Sequence, residues 1–475
     1  MTKTTAARVA SLALVAGFLM VRSLPAQPTL LAVGTMDSSR AGSFNDLSGL
    51  HYNLENGVKA TELGGLGSAL AYAGGYTFLA LPDRGPNAVN YAGGDVIDET
   101  ASYINRFHTV TMDLEPNLSG TGLPYKLTPT LRATTLLWSL TPLVYGDVLG
   151  SGVPPVNNFL QHFFTGRSDN FNPNQNSGDP NDARFDSEGM RMSNDGLSVF
   201  ISDEYGPYIY QFSRLTGVRL RSFQLPSDFY VTSLSPIGAN EISGNTSGRT
   251  ANKGMEGLAI TPDGKTLVGI MQTALIQDNA EGGKAKKLLR IVTIDIASGK
   301  VLHQFAYLLT TGSGVSEICA LNDHEFLVDE RDGNGRESNN QEPGNDAVVK
   351  QLFKIDLNTA TDVSNMDGLT AAMNAVNKTL FLDVVAAMVA GGIPADLIPS
   401  KIEGVAFGPD IRMGRKTVHT LWLANDNDFL ETTEDPDGNV ISNPNQFFVF
   451  GVTDTDLGGS QLVPQQISPL AQFGL

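Results

Sequence analysis

The chain has 475 residues, and its 32 Lys and Arg against 50 Asp and Glu give a formal net charge of -18. This acidity, without a cluster of basic residues, excludes a protein that binds nucleic-acid backbones and argues against binding to anionic membranes. Hydrophobic residues make up 41% and charged residues 17%, which is enough apolar material for a large core. The 50 Gly and 24 Pro indicate frequent turns and favour an all-β fold.

The first 26 residues have the pattern of an export signal. Lys3 and Arg8 precede an uncharged apolar run over Val9–Val21, and Leu24–Ala26 offers a small-residue cleavage site. Because this run is shorter than the ~20 apolar residues that span a bilayer, the sequence predicts a cleaved signal peptide over 1–26. We therefore expect a secreted or periplasmic protein without stable membrane insertion after cleavage. An uncleaved membrane anchor is the alternative.

The chain contains one cysteine, so no internal disulfide is possible. Cys319 lies in the apolar stretch Glu317–Leu321, which predicts a buried, inert thiol rather than a nucleophile.

One unit recurs along the chain. An acidic residue, usually followed by Gly, precedes an apolar strand, an Asp-Gly type turn, a second strand and a carboxylate-rich cluster. The clearest copy runs from Asp186 to Gly206, and a degenerate copy lies over Gly67–Gly85. The glutamates at the starts of the clear copies are Glu188, Glu256, Glu317 and Glu403. Further alternating strands follow each copy, and units of four strands are typical of β-propeller blades.

These repeats predict an all-β fold, a β-propeller formed by 27–475 as a single domain. The degenerate copy and an irregular unit over about Tyr103–Phe164 raise the blade count to six, with seven as an alternative. Apolar residues at helical spacing over Met366–Met388 predict a helical insertion near 362–392. A two-sheet sandwich is the competing architecture.

In a propeller the innermost strands begin near one axis, so the four repeat glutamates are predicted to converge at one end of the tunnel. Carboxylates gathered there repel one another and call for a cation. Oxygen ligands without neighbouring Cys or His suit Ca²⁺. The predicted metal ligands are Glu188, Glu256, Glu317, Glu403, Asp203, Glu204, Asp329 and Asp426, and further strand-end oxygens come from Asp83, Glu330 and Asp428. Capping of backbone N–H groups or pairing with Arg is the alternative role for each acid.

Basic residues accompany these acids. An anionic substrate needs cations beside the metal, and the predicted substrate-binding residues are Arg84, Lys253, Lys401 and Arg331. Simple ion pairing is the alternative. The chain has no Gly-x-Ser-x-Gly elbow, and its six histidines lack metal-ligand spacing. A water activated by metal would need no side-chain nucleophile.

Several of these segments together resemble a known family. Asp186–Pro207 and Asn252–Ala259 carry the resemblance, with the shorter pieces Leu81–Asn87, Glu330–Asp332, Asn377–Leu380 and Lys401–Gly404. They resemble the secreted family described as having esterase-like activity of phytase. This resemblance implies an exported propeller related in plan to calcium-dependent β-propeller phytases, in which carboxylates bridge several Ca²⁺ ions and a metal-bound water attacks phosphorus.

The sequence thus predicts a secreted, Ca²⁺-dependent hydrolase of esters, above all phosphoesters, that acts on a small anionic substrate at the tunnel mouth. Glu256, Glu188 and Lys253 are the predicted catalytic residues. Two alternatives stay open: a non-catalytic extracellular or periplasmic binding propeller braced by Ca²⁺, and a hydrolase of carboxylic esters or lactones on the same scaffold.

Overall fold

The computed structural model describes residues 27–37, 45–86, 101–146, 152–336, 346–435 and 437–468. The predicted signal peptide over 1–26 lies outside these residues. The described chain begins with strand β1 (Thr29–Met36). The first blade follows, with β2 (Ala69–Tyr72), β3 (Thr77–Leu81), β4 (Arg106–Pro116) and β5 (Tyr125–Leu136). A small hairpin comes next, with β6 (Trp138–Ser139) and β7 (His162–Phe163).

The second and third blades are regular four-stranded sheets. The second consists of β8 (Ser187–Met192), β9 (Ser198–Asp203), β10 (Tyr208–Ser213) and β11 (Arg219–Phe223). A 3-10 turn (Ser227–Phe229) and helix α1 (Gly238–Ser243) precede the third blade. This blade consists of β12 (Met255–Ile260), β13 (Thr266–Met271), then helix α2 (Ile276–Glu281) and a 3-10 turn (Gly283–Lys287), and finally β14 (Leu288–Asp295) and β15 (Val301–Leu308).

The fourth blade contains most of the remaining helical residues. It consists of β16 (Gly314–Ala320), β17 (Glu325–Arg331), β18 (Lys350–Asp356), a 3-10 turn (Leu357–Thr359), helix α3 (Gly368–Met373) and β19 (Lys378–Asp383). Helix α4 (Val384–Ala390) and a 3-10 turn (Ala395–Leu397) lead to the fifth blade. Its strands are β20 (Ile402–Phe407), β21 (Ile411–Met413), β22 (Lys416–Asn425) and β25 (Asn445–Val452), and β23 (Thr432–Glu434) pairs with β24 (Val440–Ser442) as a separate hairpin.

The innermost strands form a closed ring. Strand β2 contacts β8, β8 contacts β12, β12 contacts β16, β16 contacts β20, and β20 returns to β2. The fifth blade is completed by β1, which pairs antiparallel with β25 as its outermost strand. Strands from both ends of the described chain therefore share one sheet, which closes the ring.

The prediction of an all-β propeller is confirmed, but the count of six blades is wrong. The described residues form five blades. The segment interpreted as an irregular blade, near 103–164, supplies β4 and β5, which pair with each other and with β3. The degenerate copy over 67–85 contains only the two inner strands of the first blade, so both segments belong to one sheet.

The predicted helical insertion near 362–392 is present only in part. Helices α3 and α4 flank strand β19, which is the outermost strand of the fourth blade and pairs with β18. Leu380, counted among the residues at helical spacing, lies in this strand. The apolar residues of a short strand between two helices can fall at spacings that match the helical period, so the pattern in the sequence indicated one continuous helical segment.

Apolar side chains fill the wedges between blades. Trp422 of the fifth blade packs on Phe78 of the first with ring centroids 4.7 Å apart, and within the second blade Phe185 packs on Tyr210 at 5.2 Å. Cys319 is buried, as predicted, and its thiol is free. No helix in the described part of the chain is long and apolar enough to cross a bilayer.

One ion pair lies on the axis of the ring. Arg191 on β8 donates to the carbonyl oxygens of Leu70 (3.1 Å), Ile318 (2.8 Å) and Val405 (3.1 Å), which lie on three other inner strands. Its partner Glu317, at 3.0 Å, accepts from the backbone N–H of Leu258 at 2.9 Å. The pair therefore contacts all five inner strands and separates the two mouths of the tunnel.

Candidate metal centre

The repeat glutamates lie where the inner strands begin. The ladder shifts register between Ser187 and Met190, between Met255 and Gly257, and between Ile402 and Gly404. These irregularities contain Glu188, Glu256 and Glu403. A β-bulge leaves its extra residue outside the ladder and redirects its side chain, and bulges are common beside functional sites. Here they turn three glutamates toward one mouth.

Close packing between neighbouring inner strands requires the glycine that follows each of these glutamates. A Cβ on Gly189 would lie 2.6 Å from the backbone nitrogen of Leu258, and one on Gly257 would lie 2.7 Å from that of Ile318. Any side chain at these positions would collide with the next inner strand. The Glu-Gly pattern in the sequence therefore records close approach of neighbouring blades around the axis.

Three acidic clusters lie at this mouth, each with one oxygen from every residue within 4.8 Å of the others. The first cluster is Glu188, Glu204 and Glu256. The second cluster is Asp83, Asp186 and Glu188, and the third cluster is Asp83, Asp426 and Asp428. Glu188 joins the first cluster to the second, and Asp83 joins the second to the third. The clusters thus form a continuous row of carboxylates across four blades.

The first cluster has the strongest uncompensated charge. Glu204 and Glu256 are each 2% exposed, and Oε1 of Glu204 and Oε2 of Glu256 are buried without a hydrogen-bond partner. Burial, and then the neighbouring carboxylate of Glu204, raise the pKa of Glu256 well above its usual value. Burial and the charge of Glu256 raise the pKa of Glu188 in the same way. Among the described residues, no Lys or Arg forms an ion pair with these three glutamates.

The second and third clusters contact cations of the chain itself. Arg84 Nη1 lies 3.2 Å from Asp186 Oδ2 in the second cluster. Lys401 Nζ contacts two members of the third, Asp426 Oδ2 at 3.1 Å and Asp428 Oδ1. Burial and the charge of Asp426 nevertheless raise the pKa of Asp83.

The other predicted substrate-binding residues lie around the same mouth. Arg331 is the last residue of β17 in the fourth blade, where its Nη2 pairs with Glu403 and its Nε donates to Ser316 Oγ at 2.5 Å. Lys253 is exposed and donates to Gln272 Oε1 at 3.1 Å. Of the four predicted cations, Arg84 and Lys401 thus pair with members of the acidic row, whereas Arg331 pairs with Glu403 and Lys253 with Gln272.

Glu317 does not join the other glutamates. In the fourth blade the register shift falls between Val315 and Glu317, so Ser316 takes the bulge position and Glu317 pairs with Asp329. The Glu317 side chain enters the tunnel and meets Arg191 at 3.0 Å. Burial raises its pKa to about 7 although Arg191 lowers it. Glu317 occupies the position at which the second, third and fifth blades have Gly189, Gly257 and Gly404.

Three further predicted ligands lie near the clusters without joining them. Asp203 accepts from the backbone N–H groups of Asp186, Tyr205 and Gly206 at 2.9–3.0 Å, so both its oxygens are used within a turn. Asp329 is buried on β17, and burial raises its pKa. The pKa of Glu403 is raised to about 7 by burial, against the effect of its partner Arg331.

The sequence analysis did not assign Asp186 to the site. Asp186 lies just before β8 and was interpreted only as the first residue of a repeat copy. Asp83 and Asp428 were noted as strand-end oxygens, and both are members of clusters. The signal that could have identified Asp186 as a site residue was its place in the pattern Asp-x-Glu-Gly, two residues before the bulge residue Glu188.

The fold and this mouth define a five-bladed propeller with acidic clusters that could hold a metal ion. The chain belongs to the Phytase-like family, described as esterase-like activity of phytase, whose model matches residues 61–429. The family predicted from the sequence motifs is thereby confirmed.

A relative from Arthroderma benhamiae, named an uncharacterized secreted protein, is 34% identical over 180 residues. The match covers 32% of this chain and 35% of that protein, so the chain spans about a third of the length of this relative.

Solved structures with some likeness differ strongly in sequence. A putative 6-phosphogluconolactonase from Bacteroides uniformis is 11% identical, with coverage of 79% of this chain and 86% of that chain and a TM-score of 0.31. A gluconolactonase from Xanthomonas campestris is 10% identical, with coverage of 90% and 99% and a TM-score of 0.30. A glutaminyl cyclase from Myxococcus xanthus is 10% identical, with coverage of 90% and 100% and a TM-score of 0.32. At these scores the likeness carries no information on activity.

Proposed function

We propose that this protein is a secreted, Ca²⁺-dependent hydrolase of small anionic esters, above all phosphoesters, with its active site at the acidic mouth. The observation that carries the proposal is the first cluster. Three buried or half-buried glutamates meet there, no Lys or Arg of the described residues forms an ion pair with them, and two of their oxygens are buried without a hydrogen-bond partner. Buried carboxylates in this arrangement need a bound cation or bound protons.

The donor set fits a hard divalent ion. All candidate ligand atoms in the three clusters are carboxylate oxygens, which Ca²⁺ and Mg²⁺ prefer, whereas Zn²⁺ sites are built from His and Cys. Glu188, Glu204 and Glu256 would hold the ion, and Glu188 would also reach an ion in the second cluster. A bound divalent cation would supply Lewis-acid activation of water and of the ester group.

The basic residues at the rim would bind and orient the anion. Lys253 is exposed beside Gln272, which follows the third blade's second strand. The Arg331 side chain is 15% exposed, and its Nη1 donates to no described residue. A guanidinium held by Glu403 and Ser316 presents this N–H in a fixed direction toward a phosphate oxygen. Arg84, held by Asp186 of the second cluster, would present a second guanidinium.

The ion pair of Arg191 and Glu317 closes the tunnel below the site. Arg191 and Glu317 connect all five inner strands below the mouth. A substrate would therefore enter and leave by the same opening, and the polar groups of the mouth would act on it together.

Hydrolysis by the purified mature protein tests the proposal. The substrates are aryl phosphates, aryl acetates, lactones and phytate, each assayed with Ca²⁺ and with EDTA. We expect turnover with Ca²⁺ and its loss with EDTA. Glu256→Gln removes one ligand charge while it keeps the side-chain volume, and we expect turnover to fall by about 100-fold or more.

Asp263→Asn is the matched control, because Asp263 lies in the turn between β12 and β13, at the other end of the same blade. We expect this variant to retain full turnover. If no substrate shows Ca²⁺-dependent turnover, the hydrolase proposal is wrong. If Glu256→Gln lowers the melting temperature of a protein that has no activity, the cation braces a non-catalytic binding propeller instead.

A further inference from the structure

The three acidic clusters differ in how much positive charge the chain already provides. No Lys or Arg among the described residues forms an ion pair with the first cluster, and Arg331, which is paired with Glu403, acts on Glu256 only through its charge. In the second, Asp186 pairs with Arg84, and in the third, Asp426 and Asp428 both pair with Lys401. Since a carboxylate already paired with a cation gains less from a metal, the need for a bound ion falls from the first cluster to the third.

The third cluster is built around the ammonium group. Asp426 uses Oδ1 to accept the backbone N–H of Asp428 at 2.8 Å, which leaves Oδ2 for Lys401. Asp83 similarly uses Oδ1 for the backbone N–H of Gly85 at 2.9 Å. One carboxylate oxygen from each of Asp83, Asp426 and Asp428 lies within 4.8 Å of the others, and Lys401 Nζ pairs with the two from the fifth blade. A cation at their centre contacts every member of the triad.

The loop that carries this cluster is held rigidly. Asp428 has a positive φ of 50° and Phe429 one of 56°. Asn427 fixes the turn, because its Oδ1 accepts the backbone N–H of Gly65 at 2.8 Å and its Nδ2 donates to Asn443 O at 2.8 Å. The backbone N–H of Asp426 also donates to Lys401 O at 3.1 Å. The acids therefore keep their positions when the lysine side chain changes.

We propose that Lys401 is a tethered cation that occupies the place of a divalent ion in the third cluster, so that the native protein binds Ca²⁺ in the first and second clusters only. This inference rests on the proposed metal centre and assigns Lys401 to that centre rather than to the substrate. Lys401 Nζ pairs with both Asp426 and Asp428, so the ammonium already supplies positive charge to this cluster. The Lys401 side chain is 28% exposed, so an ion from solvent can reach the same place.

Removal of the ammonium should turn the third cluster into a metal site. Lys401→Gln and Lys401→Met keep most of the side-chain volume and lose the charge. After dialysis against a fixed concentration of free Ca²⁺, calcium is counted per chain by elemental analysis. We expect each variant to bind one more Ca²⁺ than the native protein, and Ca²⁺ to raise their melting temperatures more than that of the native protein.

Three controls define the site. Lys401→Arg keeps a cation in the cluster and should bind no extra ion. Lys401→Gln combined with Asp428→Asn should lose the additional ion. Lys265→Gln removes an exposed lysine that pairs with Asp263 at the other end of the third blade, and it should leave the calcium count unchanged.

The outcomes separate this inference from the proposed function. If the native protein binds Ca²⁺ and neither neutral variant gains an ion, the role of Lys401 is wrong while the metal centre stands. If the native protein binds none and the variants bind one, Lys401 has the proposed role and the first cluster is no metal site. If both neutral variants fail to fold even in Ca²⁺, a divalent ion does not replace the ammonium and the inference is wrong.

Discussion

The axial ion pair of Arg191 and Glu317 should contribute strongly to the free energy of unfolding. Arg191→Met would leave the buried Glu317 without its cation and would remove the donor shared by Leu70, Ile318 and Val405. Loss of one partner of a buried ion pair costs about 3 to 5 kcal/mol. We expect the free energy of unfolding of this variant to fall by about that amount at pH 8.

The cost should depend on pH with a defined sign. Glu317 has a pKa of about 7 in the folded protein, raised from 4.5. Loss of Arg191 removes the group that lowers this pKa, so the pKa rises further and the carboxyl binds a proton over a wider pH range. At pH 5 Glu317 is protonated in both folded proteins, whereas at pH 8 only the native protein has it ionised. Since one pKa unit corresponds to ~1.4 kcal/mol, the variant should lose at least about 1 kcal/mol more at pH 8 than at pH 5.

Urea unfolding of four proteins measures this effect: native, Arg191→Met, Glu317→Gln and the double variant. At pH 8 the double variant should be more stable than Arg191→Met, because it has no buried carboxyl without a partner. A cost below about 1 kcal/mol for Arg191→Met, or free-energy changes that simply add in the double variant, would refute the role given to this pair.

Three smaller predictions follow from individual residues. Burial, which outweighs the opposing charge of Asp46, lowers the pKa of His108 from 6.5 to about 4, with Arg106 acting in the same direction as burial. Because the unfolded chain binds the proton first, His108 alone should remove about 3 kcal/mol from the free energy of unfolding as the pH falls from 6.5 to 4. Urea unfolding should therefore show that the change in stability over this range is less unfavourable in His108→Gln than in the native protein by about that amount. Gly67→Ala should lower the free energy of unfolding by about 1 to 3 kcal/mol, since its Cβ would lie 2.2 Å from the carbonyl oxygen of Asn425; an unchanged urea midpoint would contradict this. Cys319 should react with a thiol reagent only in denaturant, because it is buried and burial raises its pKa; rapid labelling of the native protein would show otherwise.

The sequence was sufficient to predict the propeller and the family, because both depend on local patterns. The strand, turn, strand order with an acidic start repeats along the chain, and it specifies the inner half of each blade. It did not specify the outer half. The assignment of β4 and β5 to the first blade depends on pairing between segments separated by 87–100, which lie outside the described residues. The use of β1 to complete the fifth blade joins residues more than 400 positions apart.

The position of Glu317 shows a limit of reasoning from repeats. Ser316-Glu317 matches Met255-Glu256 in sequence, but the register shift in the fourth blade falls one residue earlier. A shift of one residue sends a strand side chain to the opposite face. The missing glycine after Glu317 was the available signal, because Ile318 stands where Gly257 follows Glu256.

Lys401 shows a second limit of prediction from the sequence. Its place two residues before a repeat glutamate was visible, but its partners lie 25 and 27 residues further along, at the exit of β22. Whether a lysine faces a substrate or neutralises a carboxylate depends on that tertiary contact. The sequence predicted Lys401 as a substrate-binding residue and left ion pairing as the alternative.

The central claim is that the first cluster holds a divalent cation, and a crystal structure tests it most directly. Crystals grown with saturating Ca²⁺ and measured at long wavelength would show calcium as an anomalous peak. We expect a peak about 2.4 Å from carboxylate oxygens of Glu188, Glu204 and Glu256. A map without a peak there, with the three carboxyl groups paired directly to one another, would contradict it.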